Sequence, residues 1–131
     1  MIHVTREMYR ARGFDALPDN RFEELITRAG LYAQEQTLGR VRWSFAPLKK
    51  KNYDKLAERN IRGICSLADL FFRNEAAVGE NGAAIIAFAN EGYRETYEGG
   101  ARVGSTDLFL RRLNTVMQAF FSQDQLSRQV N

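Results

Sequence analysis

The sequence predicts an all-α protein: a small helical bundle with three main helices, a short N-terminal helix, one projecting β-hairpin or loop, and an extended C-terminal tail. Three observations predict it. Three long segments repeat their apolar residues every 3.6 positions. The breaks between them fall at glycines and prolines, as helix ends do. One stretch alone, IIAFANEGYRETYEGG at residues 85–100, alternates with the period of a strand. The 131-residue length fits one domain, taken here as residues 1–121 with the hairpin 85–98 inserted, followed by a tail over 122–131.

Taken in order, Thr5 caps a turn covering Arg6 to Ala11, which Gly13 ends. In LPDNRFEEL, Pro18 precedes a helix, Asn20 is its N-cap and Glu23 completes a capping box. Phe22, Leu25, Ile26, Ala29 and Ala33 form one apolar face of a helix over 20–37, and Gly39 stops it. Residues 40–52, RVRWSFAPLKKKN, follow neither period. Trp43, Phe45 and Leu48 are too apolar for a free linker, so this loop is expected to pack, and Pro47 argues against helix.

The next helix is the strongest pattern. Tyr53, Leu56, Ala57, Asn60, Ile61, Ile64, Cys65, Ala68, Phe71 and Phe72 share its apolar face. Gly63 within it costs about 1 kcal/mol relative to alanine and is read as a point of close helix approach or a tolerated residue. VGENGAA then breaks the chain. The hairpin turns at NEG, with Tyr93, Glu95 and Tyr97 on one face of its second strand and Arg94 and Thr96 on the other. EGGARVGS is a flexible return, Ser105 caps the last helix, and Phe109, Leu113, Val116, Met117 and Phe120 are its core stripe. The tail SQDQLSRQVN carries two isolated apolar residues, Leu126 and Val130, and nothing in it is expected to hold it down in a monomer.

Apolar residues at 44% and charged residues at 27% place the chain among ordinary globular proteins and away from disordered ones. No apolar run approaches a membrane span, and MIHVTREMYR does not read as a secretory signal. The single cysteine, Cys65, excludes an intramolecular disulfide and reads as a buried structural thiol in a reducing compartment. The single histidine, His3, rules out a His-based triad or a His-rich metal cluster. The glycine pairs lack the strand–loop–helix setting of a phosphate loop. The expectation is therefore no enzyme, no metal and no cofactor.

The net charge is +3, unevenly spread: Arg40, Arg42, Lys49, Lys50, Lys51, Lys55 and Arg59 are opposed only by Asp54 and Glu58. Such a segment is either a solvated loop or an electrostatic footprint for nucleic acid or an acidic partner. No helix–turn–helix spacing and no RNP-type aromatic pair accompanies it. An isolated two-stranded hairpin is marginal in water, so the hairpin is expected to lean on its own helices, a ligand or another copy of the chain.

The order of segments resembles the head–tail connector (adaptor) family of long-tailed bacteriophages. VTREMYRARGF looks like that family's opening segment. DNRFEELITRAGLYAQEQTLGRV is similar to its first long helix, with Thr37-Leu38-Gly39-Arg40 in place of a Thr-Phe-Gly-Arg ending. NIRGICSLADLFFRNEAA resembles the second long helix, ANEGYRETYEG the hairpin, and QLSRQVN the ending. The departures are the basic insert at 41–52, Leu38 for an aromatic, and the Arg94-Glu95 pair.

The resemblance implies a virion structural protein of the neck, assembled in the host cytoplasm as a ring, by implication twelve-fold, beneath the portal. It implies as partners other copies of itself, the portal protein, the next neck or tail-completion protein and passing DNA read without sequence recognition, with no membrane. On that reading Phe88, Tyr93, Arg94 and Tyr97 of the hairpin form a subunit interface, and Leu126, Arg128 and Val130 dock the tail to the portal. Lys49, Lys50 and Lys51 are expected to face outward or a neighbour, because lysines lining the bore would hold the DNA that must slide. The rival reading is a small helical nucleic-acid-binding or regulatory protein using the basic segment 40–59.

Overall fold

The computed structural model describes residues 1–49, 52–81 and 100–127, with the side chains of 76–81 and 100–106 left aside. Among the described residues the order is α1 (Arg6–Ala11), a 3-10 turn (Asp19–Arg21), α2 (Phe22–Gln36), α3 (Lys55–Asn81), α4 (Gly100–Phe120) and α5 (Gln123–Leu126). The all-α expectation holds for these residues, whose one β feature is an isolated parallel bridge between Ile2 and Trp43. The expected hairpin at 85–98, with Phe88, Tyr93, Arg94 and Tyr97, lies outside the described residues.

Helix α3 is the central element, with α2 on one side and α4 on the other. Leu25, Ile26, Ala29 and Ala33 of α2 meet Ile61, Ile64, Cys65, Leu67, Ala68 and Phe71 of α3, and Leu113, Met117 and Phe121 close the far side. Burying each large side chain of this set contributes roughly 1.5–3 kcal/mol. Leu67 joins the core without having been assigned to the α3 stripe, whereas Leu56, assigned to it, is exposed. Two edge-to-face contacts, Tyr32–Phe71 at 5.7 Å and Phe71–Phe109 at 5.9 Å, run across all three helices.

Several ends differ from the sequence reading. Thr5 does cap α1, its hydroxyl accepting from the Met8 N–H at 3.2 Å, and Gly13 follows at φ +88. The capping box expected at Asn20 is absent: Pro18 opens a 3-10 turn that holds Asn20 inside it, and α2 starts at Phe22 without a side-chain cap. A capping box does form at Ser122 and Gln125, where none was expected. Helix α3 begins after Asp54, whose carboxylate accepts from the Ala57 N–H at 2.7 Å.

Helix α3 also runs to Asn81, through the start of the expected break, and α4 begins at Gly100, so Ser105 lies inside the helix rather than at its cap. Extending a formed helix adds one hydrogen bond per residue fixed, so a single glycine often fails to stop it.

The loop at 40–49 packs partly as expected. Ile2 donates to the Arg42 carbonyl at 2.7 Å, and Ser44 donates to the Ile2 carbonyl at 2.7 Å. Trp43 is buried against Gly30, where an added Cβ would lie 2.2 Å from the indole. Phe45, expected to pack as well, is instead 73% exposed.

Candidate interaction surfaces

The tail over 122–127 is held by its own subunit, contrary to expectation. Asn60, buried on the apolar face of α3, exchanges hydrogen bonds with Gln125: its Nδ2 donates to Gln125 Oε1 at 3.1 Å, and Gln125 Nε2 donates back to Asn60 Oδ1 at 2.8 Å. Asn60 Nδ2 also donates to the Phe120 carbonyl at 2.9 Å. Arg59 reaches the Ala119 carbonyl at 2.9 Å, and Arg40 donates to the carbonyls of Gln125 and Ser127.

The Asn60 and Arg59 bonds satisfy the Phe120 and Ala119 carbonyls at the C-terminal end of α4, which the helix itself leaves open, and Arg40 satisfies carbonyls at the end of α5. Leu126 packs against the core, half-buried, while Arg128 and Val130 lie outside the described residues. Asn60 was legible as a polar residue within an apolar stripe. Its partner was not, because Gln125 sits in what reads as a free end.

The basic segment divides. Arg40 and Arg59 are occupied by backbone carbonyls, and Lys50 and Lys51 lie outside the described residues. Arg42 and Lys49 are exposed, and neither forms an ion pair among the described residues. Phe45 stands between them. On its inner side this segment is anchored firmly, by the Ile2 bridge, by Gln34 Oε1 accepting from the Trp43 N–H at 2.9 Å, and by the His3 ring 5.2 Å from the indole. The Trp43 Nε1–H is buried and has no hydrogen-bond partner among the described residues.

A surface groove of about 710 Å³ runs along the outer face of α2, lined by Glu23, Glu24, Thr27, Arg28, Leu31, Tyr32, Glu35 and Phe71. Its apolar residues are Leu31, Tyr32 and Phe71, and its acidic ones Glu23, Glu24 and Glu35. The guanidinium of Arg28 lies 4.5 Å over the Phe71 ring and bonds Glu75 at 3.1 Å, so its charge is matched inside the subunit. Arg21 holds Glu24 at 3.0 Å and Glu75 at 2.6 Å. Glu23 and Glu35 form no ion pair among the described residues, and Glu35 helps push the Tyr32 hydroxyl above its ordinary pKa, after burial. The groove was not legible in the sequence, since its lining joins two helices far apart in the chain.

Two polar pairs near α1 are internal fastenings. The Tyr9 hydroxyl donates to Asp69 at 2.6 Å and accepts from the Leu17 N–H at 3.1 Å. Burial raises the pKa of Tyr9 and of Asp69. Arg12 grips Glu58 with two bonds, at 2.8 and 2.7 Å, and this holds the Glu58 carboxyl below its ordinary range. Cys65 is buried, and burial pushes its thiol up to about 12, so it is a core residue and a poor nucleophile.

Among the described residues no cluster of three or more His, Cys, Asp or Glu side chains is arranged to hold a metal, and no helix is long and apolar enough to cross a membrane. Neither a family model, a curated protein nor a solved structure matches this chain.

Proposed function

We propose that this chain is a structural subunit of a bacteriophage head–tail connector, assembling as a ring between portal and tail and continuing the DNA channel. The observation that carries the reading is the ordered set of segments from VTREMYRARGF to QLSRQVN, which resembles that family along most of the chain. The helical architecture of the described residues agrees with it. In this reading the protein's work is mechanical: it seals a joint, offers surfaces to like and unlike neighbours, and lets a polyanion pass. Head-to-tail contacts between identical subunits generate a ring when the rotation closes.

The tail's role is refined by its packing. Leu126 fastens the segment to its own subunit, which leaves Arg128 and Val130 to reach the portal. The hairpin at 85–98 remains the proposed subunit contact, with Phe88, Tyr93, Arg94 and Tyr97. Lys49, exposed and without an ion pair among the described residues, faces a neighbouring protein in this reading, together with Lys50 and Lys51.

Native mass spectrometry of the purified protein, alone and with its portal, tests the proposal. A closed ring, or monomers that add to the portal in one fixed multiple, is the expected result. A monomer or dimer indifferent to the portal would overturn it. DNA binding that weakens steeply with salt would then favour the nucleic-acid reading of the 40–59 segment.

A further inference from the structure

We infer that the acidic groove on α2 is the receptor for the Phe45 segment of a second copy of this chain, giving a head-to-tail contact. The inference deepens the ring reading and depends on it only in expecting copies to assemble. The two surfaces match in chemistry. The groove offers Leu31, Tyr32 and Phe71 beside Glu23 and Glu35, which form no ion pair among the described residues. The other surface offers Phe45, 73% exposed, with Arg42 before it and Lys49 after it.

The reach of the segment is long enough for the groove. Glu23 and Glu35 stand about 18 Å apart along the helix axis at 1.5 Å per residue, with Leu31 between them. Arg42 and Lys49 lie at most ~25 Å apart if the chain were fully extended, less with the bend at Pro47. An aromatic ring in an apolar trough, flanked by charges of the opposite sign, is an arrangement that association favours.

A second copy is the occupant because its exposed aromatic and flanking cations complement the groove, which no other described residue of the same subunit lines. Phe45 is exposed in its own chain and absent from the groove's lining. It is also presented rather than loose, since Trp43 and Ser44 just before it are held by Gln34 and Ile2. The cations on one surface and the glutamates on the other disfavour pairing of like surfaces, so the contact is heterologous and propagates.

Disulfide trapping tests this. Leu31→Cys and Phe45→Cys variants are mixed at the concentration at which the wild type assembles, then oxidised, and the bonded peptides are identified by mass. Cys65 is buried and does not compete. A bond between positions 31 and 45 is expected, and the double variant should give a ladder of covalent multimers. Bonds joining 31 to 31 or 45 to 45 alone, or no bond, would overturn the groove contact.

A wild-type ring without the 31–45 bond leaves the connector reading standing and sinks this inference. A 31–45 bond in open-ended polymers does the reverse. Glu35→Lys, a surface change that should leave folding intact, is expected to weaken assembly at least tenfold, with Arg42→Glu restoring most of it. Failure of that rescue, with both variants folded, counts against the proposed pairing.

Discussion

Trp43 against Gly30 and Phe121 against Gly63 use the same device on two helices, with different finishing. In each, a missing side chain opens a slot that a distant aromatic fills: a Cβ on Gly30 would meet the indole at 2.2 Å, and one on Gly63 would meet Phe120 Cβ at 2.6 Å and the Phe121 ring at 2.7 Å. Around Phe121, the amides of Asn60 and Gln125 answer each other and the end of α4. Around Trp43 the inner face is well held, yet the indole N–H is buried without a partner among the described residues and Phe45 is exposed. An unanswered buried donor costs roughly 1–3 kcal/mol. The tail dock is complete within one subunit, while the 41–49 segment is anchored on one side and open on the other. The proposed head-to-tail contact uses that open side.

The largest effect expected from disturbing this pair is at Gly30. Gly30→Ala should destabilise by about 3 kcal/mol, the upper end of overpacking costs, because Trp43 cannot retreat: its own N–H is held by Gln34, and the residues on either side of it by Ile2. Gly63→Ala should cost about 2 kcal/mol, since the Phe121 ring can swing while Phe120 Cβ cannot. Both act against the ~1 kcal/mol that alanine gains over glycine in a helix. Urea denaturation of the two variants ranks them. If Gly63→Ala costs more, the 41–44 segment is the looser dock and the comparison is reversed.

The sequence carried the helices well and their ends poorly, for a physical reason. The apolar faces of α2 and α3 arise from burial repeated over many residues, and a stripe such as Ala29, Ala33, Ile61, Ile64 and Ala68 survives any single error. Caps depend on one residue's backbone conformation. Asn20 has the right side chain but sits inside a 3-10 turn, and Ser122 caps a helix in a stretch that reads as tail. Long-range polar pairing was illegible altogether. Neither Asn60 with Gln125 nor Tyr9 with Asp69 is signalled by spacing, because the partners are brought together only by packing of the helices. Of the site residues named from sequence, Lys49 is found exposed and Leu126 against the core. The groove that would receive a partner emerges only when α2 and α3 are assembled.

Next in size is the tail dock. Gln125→Ala should destabilise by about 2 kcal/mol, since it leaves part of the buried Asn60 amide without a partner and removes one half of the Ser122 capping box. Amide hydrogen exchange should show faster exchange at Ser122 and across α5, with α2 unchanged. Spread of that effect to Trp43 would mean that the two docks are coupled, and the comparison of independent devices would fail.

Acid should loosen α1 before it touches either dock. Arg12 holds the folded-state pKa of Glu58 below its unfolded value, so the stabilisation is fully present above the ordinary glutamate pKa and is lost as pH falls through the depressed one. Asp69 has the opposite sign: burial raises its pKa, and the stability it costs as an anion is recovered as pH falls. Glu58→Gln should flatten the acid limb of a stability–pH curve and lower the plateau at neutral pH. Asp69→Asn, which keeps an acceptor for the Tyr9 hydroxyl, should raise the plateau slightly and steepen the acid limb, because the stability recovered on protonating Asp69 is no longer there to offset the loss at Glu58.

The smallest effect is the most informative about the open side. The end of α2 is a Schellman arrangement, with Gly39 N–H donating to the Gln34 carbonyl at 2.8 Å and Leu38 N–H to the Glu35 carbonyl at 3.1 Å. The left-handed position falls on Leu38, at φ 55, where glycine is the usual residue. A leucine there costs about 1–2 kcal/mol of backbone strain, and its side chain, 51% exposed, recovers little by burial in the subunit. Leu38→Gly should therefore raise stability by about 0.5 kcal/mol, the relief being partly offset by the greater freedom of an unfolded glycine. If the variant is more stable but assembles less well, Leu38 belongs with Phe45 to the presented side, and the strain is retained for a neighbour's benefit. If it is more stable and assembles normally, the leucine is only tolerated, and the open surface begins at Arg42.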